Sequence, residues 1–195
     1  MKKIYYICFL LLFSLPLSLF AEQNDYSITS HGINLGHLTA IKTTNGDTIT
    51  LKVKSKVKIH LLMNFEVKYR LHNTYFNDTL LTSSVLTYVD GEIHSNVQIE
   101  KMTKGYQVIK DGVTLYVTDI IDYTAGQLYF KEPLLVSNLF SEIDGAAKKI
   151  EKTKDNTYTV VNSKRNSNTY VYNGGELERA EIKHSLITFY ITKLD

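Results

Sequence analysis

The stretch Ile49-Thr50-Leu51-Lys52-Val53-Lys54-Ser55-Lys56-Val57-Lys58-Ile59 decides the fold. Its odd positions are apolar apart from Ser55, and its even positions are Thr50 followed by lysines. Side chains alternate across a β-strand, so this run makes a ribbon with one apolar face and one row of ammonium groups. The next stretch keeps the period, with Phe65, Val67, Tyr69 and Leu71 alternating with Glu66, Lys68, Arg70 and His72. A hairpin centred on Leu62 aligns the two runs. It sets Ile59 opposite Phe65, Val57 opposite Val67 and Val53 opposite Leu71. On the other face Lys58 meets Glu66, Lys56 meets Lys68 and Lys54 meets Arg70. Directly opposed like charges weaken such a pair slightly, and a slip of one residue would mix the two faces.

Outward from this hairpin, turn signals recur at short intervals: Asn45-Gly46, Asp90-Gly91, Asp111-Gly112 and Asn173-Gly174. Such pairs reach positive φ at low cost, as tight hairpins require. The runs between turn signals predict strands over 25–31, 35–44, 48–59, 64–76, 80–89, 92–101, 105–110, 113–118, 157–162, 168–173, 176–183 and 186–193. Strands joined by short turns form an antiparallel meander. In the run after residue 80, Leu80, Ser84, Leu86 and Tyr88 share one face and Leu81, Val85 and Val89 the other. Strands apolar on both faces suit a curved sheet with a lined interior. Residues 119–149 break the pattern. After Pro133, the spacing of Leu135, Val136, Leu139 and Phe140 predicts a short helix near 134–142. The fold class expected is all-β and mainly antiparallel: a meander forming an open or incompletely closed barrel, with one short helix.

The N-terminus reads as a targeting segment. Lys2 and Lys3 precede an apolar run from Ile4 to Phe20, Pro16 interrupts that run near its end, and Ala21 offers a small residue for cleavage. This layout predicts a signal peptide over 1–21 and a single β domain over 22–195. The run falls short of the ~20 residues of a spanning helix, so no stable membrane span is expected after cleavage. Cys8, the sole cysteine, lies inside the segment. The mature chain would then have no disulfide, thiol nucleophile or thiolate metal site. Removing Lys2 and Lys3 turns 22 basic against 20 acidic side chains into 20 of each. That balance gives nucleic-acid binding no support. The expected localisation is periplasmic or extracellular.

Candidate chemistry is sparse. The HExxH zinc motif, the phosphate-binding loop, the dinucleotide fingerprint and the Gly-x-Ser-x-Gly elbow are all absent. His31 and His37 flank a turn, but two ligands do not make a metal site. No metal, cofactor or catalytic residue is expected. The acidic residues Asp119, Asp122, Glu132, Glu142 and Asp144 cluster around the irregular segment, where a carboxylate pair would allow glycoside hydrolysis. The basic face of Lys52, Lys54, Lys56, Lys58, Lys68 and Arg70 is either a patch for anionic lipid headgroups or glycans, or a solvated outer face. The tyrosines carry the best binding signal. Tyr69, Tyr88, Tyr116, Tyr123, Tyr129, Tyr170 and Tyr172 each combine an apolar body with a polar tip, which suits either an amphipathic ligand or packing at a sheet rim.

Several stretches together carry a resemblance: Leu35-Gly36-His37-Leu38-Thr39-Ala40-Ile41-Lys42, Val67-Lys68-Tyr69-Arg70-Leu71, Tyr88-Val89-Asp90-Gly91-Glu92-Ile93-His94-Ser95, Gly105-Tyr106-Gln107-Val108-Ile109-Lys110-Asp111-Gly112 and Leu128-Tyr129-Phe130-Lys131-Glu132-Pro133. The chain resembles a family of small secreted proteins from Bacteroidota, catalogued only as a domain of unknown function. The resemblance implies fold and export but no activity. In architecture alone the chain looks like periplasmic half-barrel proteins that carry lipids or lipoproteins. The expectation is therefore an exported, non-catalytic protein holding an apolar or amphipathic ligand in a curved sheet, lined by Phe65, Val67, Tyr69, Tyr88, Tyr129 and Phe140. The alternatives are a structural or interaction module of the cell envelope, meeting a protein or anionic glycan, and a hydrolase.

Overall fold

The structure, a computed structural model, describes residues 20–60, 64–162, 167–184 and 187–194. The apolar N-terminal run over 1–19 and the turn at Leu62 lie outside the described residues. Strands β1 (Phe20–Ser30), β2 (Ile33–Asn45), β3 (Thr48–His60), β4 (Asn64–Phe76), β5 (Thr79–Val89), β6 (Glu92–Lys101), β7 (Tyr106–Lys110) and β8 (Val113–Val117) form one meander. A second meander holds β9 (Asn138–Ser141), β10 (Ala146–Lys154), β11 (Thr157–Val161), β12 (Ser167–Asn173), β13 (Glu176–Lys183) and β14 (Thr188–Lys193). Antiparallel pairing of β1 with β14 joins the two into a single 14-stranded sheet with β8 and β9 at its edges.

The register of the deciding hairpin is the one the alternation predicts. Ile59 pairs with Phe65, Val57 with Val67, Val53 with Leu71, Lys58 with Glu66, Lys56 with Lys68 and Lys54 with Arg70. Leu51, Val53, Val57 and Ile59 are buried, while Lys52, Lys54, Lys56 and Lys58 face solvent. Two-residue turns follow the same logic. Asp90-Gly91 and Asp111-Gly112 both adopt positive φ, as type I′ turns demand. Beyond Asn173 the turn falls on Gly174-Gly175, one position later than the dipeptide signal suggests.

Bulges bend the sheet into a barrel. Register shifts between Thr74 and Tyr75, and between Val171 and Tyr172, change which parity faces inward. Leu80 and Ser83 therefore both point inward although they are three residues apart, as do Leu177 and Ala180. The edges do not pair with each other. Instead the β9–β10 turn abuts the inner side of β7, where Lys110 Nζ donates to the Asp144 carbonyl at 3.4 Å. A β-carbon on Gly145 would lie 2.9 Å from Val108 Cγ1, so the approach needs glycine.

The segment between β8 and β9 runs through the inside of this coil. It contains the single helical element among the described residues, a 3-10 turn at Ala125–Tyr129. No helix forms at 134–142, which corrects the prediction. Leu135 is 100% exposed, and Leu139 and Phe140 belong to strand β9. Both residues are buried although they point to opposite faces, and the Phe140 N–H bonds to the Tyr123 carbonyl of the internal segment along the strand edge. β9 is thus covered on two sides, and the resulting apolar doublet imitates helical spacing.

Candidate ligand-binding site

Tyrosine tips hold the internal segment in place. Four strands contribute one each. Tyr26 donates to the Tyr129 carbonyl at 3.1 Å, and Tyr172 donates to the Leu128 carbonyl at 2.9 Å. The Tyr75 hydroxyl meets Thr124 Oγ1 at 2.7 Å, and Tyr158 donates to Glu132 Oε1 at 2.8 Å. Tyr123 closes the segment on itself through the Lys131 carbonyl at 2.7 Å. A buried irregular stretch must find partners for its polar groups, and the phenols supply them to the Leu128, Tyr129 and Lys131 carbonyls and to the Thr124 and Glu132 side chains.

Glu142 fixes the other side of the same turn. Its carboxylate is 1% exposed. Oε1 accepts Asn73 Nδ2 at 2.7 Å and Gly126 N–H at 3.0 Å, and Oε2 accepts Ala125 N–H at 3.1 Å. These bonds place a carboxylate on the free N–H groups that begin the 3-10 turn. Gly126 has no side chain to block the approach; a β-carbon would lie 3.0 Å from Oε1. Burial raises the Glu142 pKa despite these donors. Burial also raises the pKa values of Tyr69, Tyr129 and Tyr170, each further raised by the Glu142 charge; Tyr170 reaches about 12.

Beside this node lies a cleft of ≈ 330 Å³. Its apolar lining is Leu128 from the internal turn and Leu139, Val160 and Ile182 from the sheet. A polar chain runs beside these residues, Lys148 being paired with Leu139 and Asn168 with Val160. Ser141 Oγ donates to Asp144 Oδ2 at 2.6 Å, and Lys148 pairs with the same carboxylate. Lys148 Nζ also donates to Asn162 Oδ1 at 2.9 Å, and Asn162 Nδ2 donates to Asn168 Oδ1 at 3.2 Å. An open cleft of this size that sets polar groups beside apolar ones has the character of a small-molecule site.

The six lining residues expected from sequence separate. Phe65, Val67 and Tyr69 sit on the inner side of β4, partly buried against the core. Tyr129 belongs to the internal turn, where its ring packs edge-on against Tyr26 at 5.7 Å. Tyr69 and Tyr129 do come together around Glu142, each within reach of its charge. Phe140 is core, at 4% exposed. Tyr88 is corrected outright. It pairs with Lys68 on the outer face and lies under the Arg70 guanidinium, 5.4 Å from the ring centroid, because the bulge at Leu81 leaves Leu80 inside and turns Ser84, Leu86 and Tyr88 outward. None of the six lines the cleft. Its polar residues come mainly from β10 and from the chain around β12. Lys148 shares parity with the buried Ile150, but that signal is legible only once β10 is known to be a strand.

The other candidates are dispersed. Glu132 and Glu142 are each engaged as hydrogen-bond acceptors within the fold, and Asp119 and Asp122 are exposed. On the basic face, Glu66 takes Lys56 at 3.1 Å and Lys68 at 2.9 Å. No group of three or more potential metal ligands forms among the described residues, and none of their helices is long and apolar enough to cross a membrane.

Fold and cleft together define an open, β-barrel-like antiparallel sheet wrapped around an internal segment of its own chain. The chain belongs to the family described as Domain of unknown function (DUF6134), whose model matches residues 26–193. Among solved structures, the chain is similar to a β-barrel-like protein of Domain of Unknown Function DUF1849 from Brucella abortus. That match has 11% identity and a TM-score of 0.59, over 92% of this chain and 98% of that one. At that identity the likeness is one of fold. The search of curated proteins returns no match.

Proposed function

We propose that the protein is an exported, non-catalytic binding protein that takes an amphipathic ligand in the cleft between the internal turn and strands β9–β13. The cleft carries the proposal. At ≈ 330 Å³, it offers Leu128, Leu139, Val160 and Ile182 to an apolar tail and the Asp144–Lys148–Asn162 chain to a polar head. The N-terminal apolar run with Lys2, Lys3 and Ala21 supports export. The test is native mass spectrometry of the protein purified from its own host, with solvent extraction of bound material and titration of a fluorescent amphiphile. A lipid-sized adduct is expected, together with saturable binding that Ile182→Trp abolishes by filling the cleft while the melting temperature holds. A clean apo mass with no saturable titration would overturn the proposal.

A second reading, an interaction module of the envelope, draws on a different observation. The protein's own segment fills much of the barrel interior, and edge strand β8 leaves Val113 61% and Tyr116 72% exposed. Cross-linking from β8 or from the lysine face would then recover a partner, and Lys54→Glu with Lys56→Glu would weaken a contact made through the lysines.

A further inference from the structure

The charges around the cleft specify the head of the ligand, given that the cleft holds an amphiphile at all. Lys148 is drawn into the wall, its side chain only 14% exposed. Its ammonium has three N–H donors. Asp144 and Asn162 Oδ1 take two of them. A second ammonium, Lys110, caps the carbonyl of the same Asp144. The turn therefore gathers two positive groups against one carboxylate. Lys183 also lines the cleft, but its charge is matched by Glu181 at 3.4 Å. Glu142, the remaining nearby acid, has both oxygens occupied by donors from Ala125, Gly126 and Asn73.

From this arrangement we infer that the cleft selects a single-chain amphiphile with an anionic head, bound through Lys148, with its tail along Leu128, Leu139, Val160 and Ile182. An anion there completes the third Lys148 donor and balances the excess positive charge at the turn. A cationic head would meet the Lys148 ammonium, and a neutral head would leave the excess charge unbalanced. A carboxylate and a phosphate monoester share the required chemistry, and the experiment separates them.

The probes are dodecanoate, dodecyl phosphate, dodecanol and dodecylamine, all below their micellar concentrations, titrated by calorimetry against the full mature protein. Dodecanoate or dodecyl phosphate is expected to bind at least about tenfold more tightly than dodecanol, as a partly buried charge-assisted contact implies. The tighter of the two anions identifies the head. Lys148→Met should erase that preference and keep the dodecanol affinity within about threefold, since the tail contacts are unchanged. Lys148→Arg should retain the preference. Equal binding of dodecanol and both anions to the wild type would overturn the inference while sparing the cleft. Preference for dodecylamine would overturn it as well, and would point to Asp144. Failure of all four to bind would remove the underlying reading too. The wild-type series decides without any variant, so misfolding of Lys148→Met would not protect the inference.

Discussion

Replacing Gly126 with alanine tests whether the internal segment is locked to the sheet through Glu142. The new β-carbon would lie 2.7 Å from Leu71 Cδ2, 3.0 Å from Glu142 Oε1 and 3.2 Å from Asn73 Nδ2. Leu71 and Asn73 are 3% and 0% exposed, so neither has free space to move into. Overpacking a filled core costs ~1–3 kcal/mol. Moving the turn away also stretches the Gly126 N–H bond to the carboxylate, and a hydrogen bond to a charged group contributes ~1.5–3 kcal/mol. One displacement produces both effects, so they do not simply add, and the expected loss is ~2–4 kcal/mol. With a urea slope of ~2 kcal/mol/M, the unfolding midpoint should fall by ~1–2 M with the slope unchanged. The chain has no Trp and 14 Tyr, so far-ultraviolet circular dichroism and tyrosine fluorescence are the natural probes. A midpoint within ~0.2 M of wild type would mean the turn is not held where the geometry places it.

Tyr172→Phe should lower the melting temperature by ~3–6 °C, because the buried Leu128 carbonyl loses its donor at a cost of ~1–2 kcal/mol; calorimetry checks it, and an unchanged transition would count against the anchoring role. Glu142 has a folded pKa above its ordinary 4.5, so its contribution to stability is complete below that value and declines as pH rises through the folded pKa. Wild type should therefore lose stability relative to Glu142→Gln as pH climbs above that point, and parallel curves of unfolding free energy against pH would exclude this. Lys54 lies directly opposite Arg70, so Lys54→Glu should raise the melting temperature by ~1 °C at low salt, with the gain gone at 1 M salt; a drop would show that the pair is not opposed in solution.

Legibility from sequence followed the strength of the local alternation. In β3 and β4 nearly every odd residue is apolar and nearly every even one polar, so one register satisfies the pairs together, and that register is the one observed. Strand β10 escaped notice because Ala146–Lys154 has one buried apolar side chain, Ile150; a strand near a sheet edge with mostly exposed neighbours carries little pattern. β9 was misread as helix for the opposite reason, being covered on both faces. Parity also failed where bulges intervene. Parity puts Tyr88 on the face of Leu80, yet the bulge at Leu81 leaves Leu80 inside and turns Ser84, Leu86 and Tyr88 outward, and no residue in that run announces it.

The tyrosines show why fold was more legible than site. A phenol with a buried body and a directed tip has the same composition signature whether its partner is a ligand or a carbonyl of the same chain. Here Tyr26, Tyr75, Tyr158 and Tyr172 all point their hydroxyls at the segment threaded through the barrel. That segment occupies the place a carried molecule would take in an empty barrel, and the sheet treats it as one: apolar walls around it, polar tips on its carbonyls, a carboxylate on its free N–H groups. What remains for another molecule is the smaller space it leaves beside Leu128. The residues that distinguish that space, Lys148 and Asn162, face each other across the β10–β11 hairpin, and Asp144 lies four residues before Lys148. What local spacing does not show is the second ammonium at this turn, Lys110. Only the coiling of the sheet, with Lys110 and Lys148 both reaching the Asp144 turn from separate meanders, brings the two into one place.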